Sequence, residues 1–273
     1  MSTEQTELHE QFVRDGVVFV EHALDDDALA RAQAAFEWSV ANPGPAGMHA
    51  YAGTSGAFFQ DLCNPACRES DAYRHLHEDT TIPDLVTGLW RDPEIWFMYE
   101  QVFLKDGPAA RRSGWHQDSS YITVDGSHLA VVWIAFDDVP EEDGLELVPG
   151  SHRGPLYNTT RFDPDDETAP LFEGLPRLPD IEADRSAWDI VSWAVRPGDV
   201  IVFHPQVLHG GGATHEGRRR RTLSLRYFGQ DATYVTRPGG GIAPKVPGLA
   251  ERLSPGDPFR DPAFPALGTT EQR

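Results

Sequence analysis

The run "LAVVWIAF" at residues 129–136 limits what this chain can fold into more than any other stretch. It is apolar at every position and rich in β-branched and aromatic side chains, which favours a strand over a helix. Successive strand residues point to opposite faces. A strand with no polar face cannot lie in a sheet wetted on one side, so both faces of this one need cover. That asks for a barrel interior against one face and a second layer against the other.

The pattern along the chain supplies both. Residues 2–16, "STEQTELHEQFVRDG", place Leu8, Phe12 and Val13 at helical spacing and stop at Gly16. Residues 17–24 form a short β-branched run, and 25–44 read as a helix opened by acids and ended at Asn42-Pro43-Gly44. The Gly-rich aromatic stretch at 46–65 has no clear period, and 80–92 predict one more helix. From about residue 94 strands take over: 94–105, 127–139, 183–195, 199–203 and 221–230, with "PEEDG" at 140–144 reading as a hairpin turn into 145–150. Helices followed by many short strands predict a mainly β fold with flanking helices. The expected architecture is a double-stranded β-helix (jelly-roll, cupin-like) core with N-terminal helices packed outside it. A single domain over 1–273 is expected, divided into a mixed helical part (about 1–92), the jelly-roll core (about 93–235) and a Pro-rich extended arm (about 236–273). The Pro- and Asp-rich excursion at 153–188 is too long for an idle connection and reads as a lid over a pocket.

Charge narrows the partners. The formal net charge of −20 repels nucleic-acid phosphates and anionic lipid head groups, so neither is an expected partner. No run approaches the ~18 apolar residues of a membrane span, and the polar N-terminus lacks the apolar segment of a signal peptide. Cys63 and Cys67 cannot make a disulfide framework or complete a cysteine zinc site. They read as free thiols in a reducing compartment, and the chain as cytoplasmic.

The chemistry gathers at "RSGWHQDSSYI", residues 112–122. If this is a strand, His116 and Asp118 share a face while Trp115 and Gln117 point away. A third ligand is expected from a distant strand. Of His204, His209 and His215, His209 stands out because Gly210, Gly211 and Gly212 follow it and let backbone approach closely. His204 reads as core or pocket wall, and His215 as part of a surface turn. Two imidazoles and one carboxylate are the facial ligand set of non-haem Fe(II) oxygenases, and a zinc hydrolase can use the same three. A group that seats an organic cosubstrate separates the two. On the strand beginning at Arg220, the residues Arg220, Thr222, Ser224 and Arg226 form a polar face opposite Leu223, Leu225 and Tyr227. A guanidinium at its end can clasp a carboxylate through two hydrogen bonds. The other three arginines of the 218–221 run read as a solvated basic turn.

His-x-Asp, a distal His-Gly and an arginine eleven residues beyond it resemble the phytanoyl-CoA dioxygenase family of iron(II)/2-oxoglutarate oxygenases. The supporting phrases are "WHQDSSYI", "VVWIAFDDVPEEDGLELVPGSHRG", "RPGDVIVFHPQVLHGGG", "RRRTLSLRYFG" and the N-terminal "FVRDGVVFVEHALDDDALARAQAAF". The resemblance runs from about residue 8 to about 240. It implies that His116, Asp118 and His209 hold Fe(II) and that Arg220 pairs with the far carboxylate of 2-oxoglutarate. It also implies that Gln101 contacts 2-oxoglutarate, that Trp133 lies near the metal, and that Thr222 supplies a small hydroxyl. One position departs: relatives often carry serine two residues after the distal histidine, and here it is Gly211. Related halogenases replace the carboxylate by a small residue, so the retained Asp118 favours hydroxylation.

The implied activity uses O₂ and 2-oxoglutarate to oxidise an unactivated C–H bond of a small molecule, in bacterial secondary or amino-acid-like metabolism. Selectivity is expected around His49, Tyr51 and Phe58 and in the 155–188 excursion. Arg161, Arg177 and Arg185 are either recognition groups for an acidic substrate or plain surface charges. The acidic surface disfavours a CoA thioester. The alternatives are a metal-dependent hydrolase or isomerase on a cupin-like barrel, and a non-catalytic ligand-binding module.

Overall fold

The computed structural model describes residues 2–50, 58–105, 110–163, 165–215 and 217–268. Helix α1 (Thr3–Asp15) opens with a capping box between Ser2 and Gln5 and closes on Gly16, whose positive φ of 70° suits the missing Cβ. Strand β1 (Val17–Val20) follows, then α2 (Asp26–Ala41), whose Ala28 N–H donates to the capping Asp25 side chain. Its buried face is Ala28, Ala32, Ala35, Phe36 and Ser39, the i, i+3/i+4 stripe of an amphipathic helix.

The aperiodic stretch that follows holds two strands, β2 (Met48–Ala50) and β3 (Phe58–Leu62). Helices α3 (Asp71–Glu78) and α4 (Ile82–Trp90) complete the N-terminal layer. The remaining elements are β4 (Ile95–Lys105), β5 (Ser113–His116), β6 (Val124–Asp125), β7 (Leu129–Ala135), β8 (Leu145–Leu147), β9 (Val200–Phe203), β10 (His209–Gly211), β11 (Arg220–Phe228), β12 (Thr233–Tyr234), α5 (Leu249–Arg252) and β13 (Ala266–Leu267).

The large sheet has the order β1-β9-β7-β11-β4-β3-β2, with β13 on the end of β4, and a small sheet β5-β10-β8 faces it. Strand β7 is central, and its two faces feed two cores. Val132 and Ile134 join Leu223, Leu225, Tyr227, Phe36, Leu76 and Val86 beneath the helices. Val131, Trp133 and Ala135 join Ile201, Phe203, Leu145 and Leu147 inside the roll. The cover demanded by the apolar run is thus helices on one side and the small sheet on the other.

Two expected elements are corrected. "PEEDG" is not a hairpin turn: Glu141–Asp143 form one 3-10 turn that carries the chain from β7 in the large sheet to β8 in the small one. Residues 183–195 are not a strand. Glu182–Ala187 is a kinked 3-10 turn, and beyond it only Val191 and Val195 make single bridges, to Leu147 and Val139. Strand β8 offers a partner only three residues long. The Pro-rich C-terminal segment is less free than an arm. Phe259 and Phe264 are buried with their rings 4.9 and 5.3 Å from that of Phe228.

Candidate metal centre

The small sheet sets the two histidines side by side. Strands β5 and β10 are antiparallel with His209 opposite His116, and the ring centroids lie 4.1 Å apart. Each imidazole is oriented by its own backbone: His116 Nδ1–H donates to the Gly114 carbonyl and His209 Nδ1–H to that of Val207, both at 2.9 Å. Those bonds fix the tautomer that leaves Nε2 unprotonated, the arrangement usual for a metal-binding histidine. Asp118 stands just beyond the strand, at the start of a 3-10 turn, rather than within it. The intervening Gln117 keeps an extended backbone (φ −122°, ψ 123°), so the side-by-side relation survives.

The three ligand atoms lie within 4.8 Å of one another. Asp118 Oδ1 is 3.6 Å from His116 Nε2 and 3.9 Å from His209 Nε2. Burial pushes His209 down to about 3, helped by the neighbouring His116, so its imidazole is neutral. Burial would raise Asp118, but Arg226 and then the two imidazoles more than offset it and hold the carboxyl well below its usual range. One carboxylate and two imidazole nitrogens, all buried or nearly so, form a donor set that fits a divalent first-row metal.

Arg226 is the residue that sequence reasoning missed. It was visible as a member of the polar face of β11, but nothing local says which carboxylate it meets. Its Nη2 donates to Asp118 Oδ2 at 2.8 Å and to Gln101 Oε1 at 2.7 Å, which leaves Asp118 Oδ1 facing the histidines. Gln101 is therefore engaged with Arg226, and it lies opposite Ser224 on the inner face of the large sheet. Trp133 flanks the same serine from β7, and Thr222 is buried on that face between Ser224 and Arg220.

Arg220 ends the row. Its Nη2 donates to the Gly212 carbonyl at 3.0 Å and its Nη1 to the Asp143 carbonyl. Among the described residues it makes no ion pair, and burial pushes it down to about 10 despite Asp143 nearby. A Cβ on Gly211 would lie 3.9 Å from Arg220 Nη2, so this guanidinium sits two residues along β10 from His209.

The other candidates fall elsewhere. His204 is buried, bonded through Nε2 to the Gly126 carbonyl and through Nδ1 to the Gln206 N–H. His215 is an exposed partner of Asp143. Arg218 and Arg219 are exposed as expected, whereas Arg221 is half-buried against Asp137 at 2.9 Å rather than solvated. Arg161, Arg177 and Arg185 are exposed and paired with Asp163, Asp166 and Glu146, which makes them surface charges. His49 packs against Phe59, Phe58 lies near Lys105, and Tyr51 lies outside the described residues.

The 153–188 excursion divides in two. Phe162, with a positive φ of 54°, sets its ring perpendicular to His116 at 5.2 Å and parallel to Tyr121 at 6.2 Å. Glu182 instead binds Arg112 at 2.7 Å and the Trp115 indole N–H at 2.6 Å. Those side chains leave the small sheet on the face away from the metal ligands. Both cysteines are buried and free, and burial pushes Cys63 up to about 11. Among the described residues no helix is long and apolar enough to cross a membrane.

A jelly roll that carries two imidazoles and a carboxylate on one inner wall is the frame of the iron- and 2-oxoglutarate-dependent dioxygenases, and this chain is one of them. Within that class it belongs to the phytanoyl-CoA dioxygenase (PhyH) family, whose model matches residues 12–222. It is similar to the peroxisomal phytanoyl-CoA dioxygenase of Rattus norvegicus, 24% identical over 267 residues that cover 92% of this chain and 76% of the rat enzyme. Among solved structures it is similar to the epimerase SnoN in complex with Fe3+, alpha ketoglutarate and nogalamycin RO. That pair is 25% identical with a TM-score of 0.71, over 97% of this chain and 98% of the other. The carbocyclase SnoK from nogalamycin biosynthesis shares the fold, at 22% identity and TM-score 0.71, over 98% of this chain and 96% of the other.

Proposed function

We propose that the protein hydroxylates an unactivated C–H bond of a small metabolite, using Fe(II), 2-oxoglutarate and O₂. His116, Asp118 and His209 hold the iron, with Arg226 fixing which oxygen of Asp118 is offered. Arg220 binds the far carboxylate of 2-oxoglutarate; Thr222 and Trp133 wall the space between it and the iron, and Gln101 acts there through Arg226. When bound, iron and cosubstrate supply the oxidising power and release succinate and CO₂. The chain seats the dicarboxylate, keeps water from the reacting carbon and aims one C–H bond.

The observation that carries this reading is the buried Arg220, two residues along β10 from His209, which makes no ion pair among the described residues. A zinc hydrolase or a silent binding module has no need of an uncompensated buried cation at that point. A small substrate fits the nogalamycin RO bound by SnoN, and a place in secondary metabolism fits SnoN and SnoK alike. The net charge of −20 speaks against nucleic-acid partners. Two buried free thiols fit work in the reducing cytoplasm.

The test is succinate release with Fe(II) and 2-oxoglutarate across a panel of small metabolites, with product masses read alongside. A gain of one oxygen atom supports hydroxylation, and an unchanged mass or the loss of two hydrogens replaces it by epimerisation or ring closure. Absence of 2-oxoglutarate binding in anaerobic Fe(II) titrations would remove the reading altogether.

A further inference from the structure

A second buried cation stands beside Arg220, and the proposed mechanism has not used it. Lys105 ends β4 directly opposite Arg220 in the antiparallel register. Opposed residues of an antiparallel pair leave the sheet on the same face with their Cβ atoms close, so both cations enter the interior of the roll. Lys105 is 1% exposed and Arg220 7%. The ammonium donates to the Arg111 carbonyl at 2.8 Å and lies 4.6 Å above the Phe58 ring. Neither contact neutralises it.

This placement is costly in an empty protein. Like charges directly opposed on a sheet repel, and a buried cation without a counter-ion is expensive. Burial, and then the charge of Arg220, push Lys105 well below the ordinary lysine value. The chain has 43 acidic residues against 23 basic ones, yet among the described residues none forms an ion pair with either cation. Among the described residues, then, no acid pairs with this corner.

We propose that Lys105 is the second cation of the cosubstrate seat, binding the far carboxylate of 2-oxoglutarate together with Arg220. The proposal rests on the reading of 2-oxoglutarate as cosubstrate and adds a residue to it. Lys105 is a binding residue here and takes no part in the oxidation.

The experiment uses the full chain with Lys105→Met and Lys105→Gln. Affinities for 2-oxoglutarate and for 2-oxopentanoate, which has a methyl group in place of the far carboxylate, are measured anaerobically with Fe(II) by calorimetry. Melting of the ligand-free proteins is followed in parallel. Both variants should lose about tenfold or more in 2-oxoglutarate affinity and none for 2-oxopentanoate. The empty Lys105→Met protein should melt at the same temperature as the parent or higher. Lys105→Gln keeps a donor for the Arg111 carbonyl, so a merely structural role would be rescued by it and a charge role would not. Unchanged 2-oxoglutarate affinity, equal loss for both ligands, or rescue by glutamine overturns the proposal. A parent protein that binds no 2-oxoglutarate defeats the cosubstrate reading and this proposal with it, a result distinct from a parent that binds and variants that match it.

Discussion

Arg226 and Arg220 leave the same face of one strand, six residues apart, and meet opposite surroundings. Arg226 is buried against the Asp118 carboxylate at 2.8 Å. Arg220 is buried against two backbone carbonyls and a second cation, Lys105. At the metal end the chain supplies the counter-charge, and the ion pair orients a ligand. At the far end no described acid pairs with Arg220, and the function proposed above leaves that seat to the far carboxylate of the cosubstrate. On that proposal, the same residue type on the same strand is a positioning group in one place and a binding group in the other.

The largest expected effect breaks the metal end. Asp118→Ala removes a metal ligand and strands Arg226, which should cost about 3–5 kcal/mol of stability; iron should be lost on desalting and succinate release should fall to background. Adding Arg226→Met should recover much of the stability and none of the iron. Urea melts with metal analysis of the single and double variants check both halves. A double variant as unstable as the single one would show that Asp118 and Arg226 are not coupled.

Acid should expose the same end. His209 is pushed down to about 3 when folded, against an ordinary value of 6.5. The folded value lies below the unfolded one, so the unfolded chain binds more protons between them. Stability from this group is complete above pH 6.5 and drains away as pH falls toward 3. The unfolding free energy of the metal-free protein, taken from urea titrations, should decline through that window by a few kcal/mol at most, and His209→Gln should flatten the decline.

The far end should respond in ligand affinity and hardly at all in stability. Arg220→Met removes a cation that has no carboxylate partner among the described residues, so the ligand-free protein should change by less than about 1 kcal/mol, the lost bonds to the Asp143 and Gly212 carbonyls offsetting the relieved charge. Affinity for 2-oxoglutarate should fall by about 10- to 100-fold, and the ligand's thermal stabilisation should vanish with it. Calorimetry and melting with and without 2-oxoglutarate separate the two quantities. A large loss of empty-state stability would erase the contrast with Arg226.

How much of this could be read from the chain depends on whether the information is local. The apolar run at 129–136 announced cover on both faces because strand periodicity is a property of neighbours. His116 and Asp118 were legible for the same reason, although Asp118 begins a turn, because an extended Gln117 preserves the i, i+2 relation. Arg226 lacked a visible role because its partner is 108 residues away and pairing is set by topology. Lys105 was silent because lysine at a strand end ordinarily points into water. Helix α3 was missed because "DAYRHLHE" buries only Tyr73, Leu76 and His77 in a polar sequence. Residues 183–195 were over-read because β-branched alternation says nothing about whether a neighbouring strand is long enough to pair.

The smallest effect sharpens the comparison at Gly211. Its neighbour Gly212 is locked, since a Cβ there would meet the Asp143 backbone at 2.5 Å. Gly211 is not: the nearest atoms to a Cβ are in the Ser113 side chain at 3.5 Å, with Arg220 Nη2 at 3.9 Å, and its φ is not positive. Gly211→Ser should therefore fold with a stability change within about 0.5 kcal/mol. Its hydroxyl would enter the interior beside Arg220, at the far end of the proposed seat. One added hydrogen bond to a carboxylate there, worth about 1 kcal/mol net, should tighten 2-oxoglutarate binding by up to about fivefold. Calorimetric affinities for parent and variant decide it. Weakened binding would mean that the seat has no room for another donor, and that the far end is already as fully furnished by the chain as the metal end.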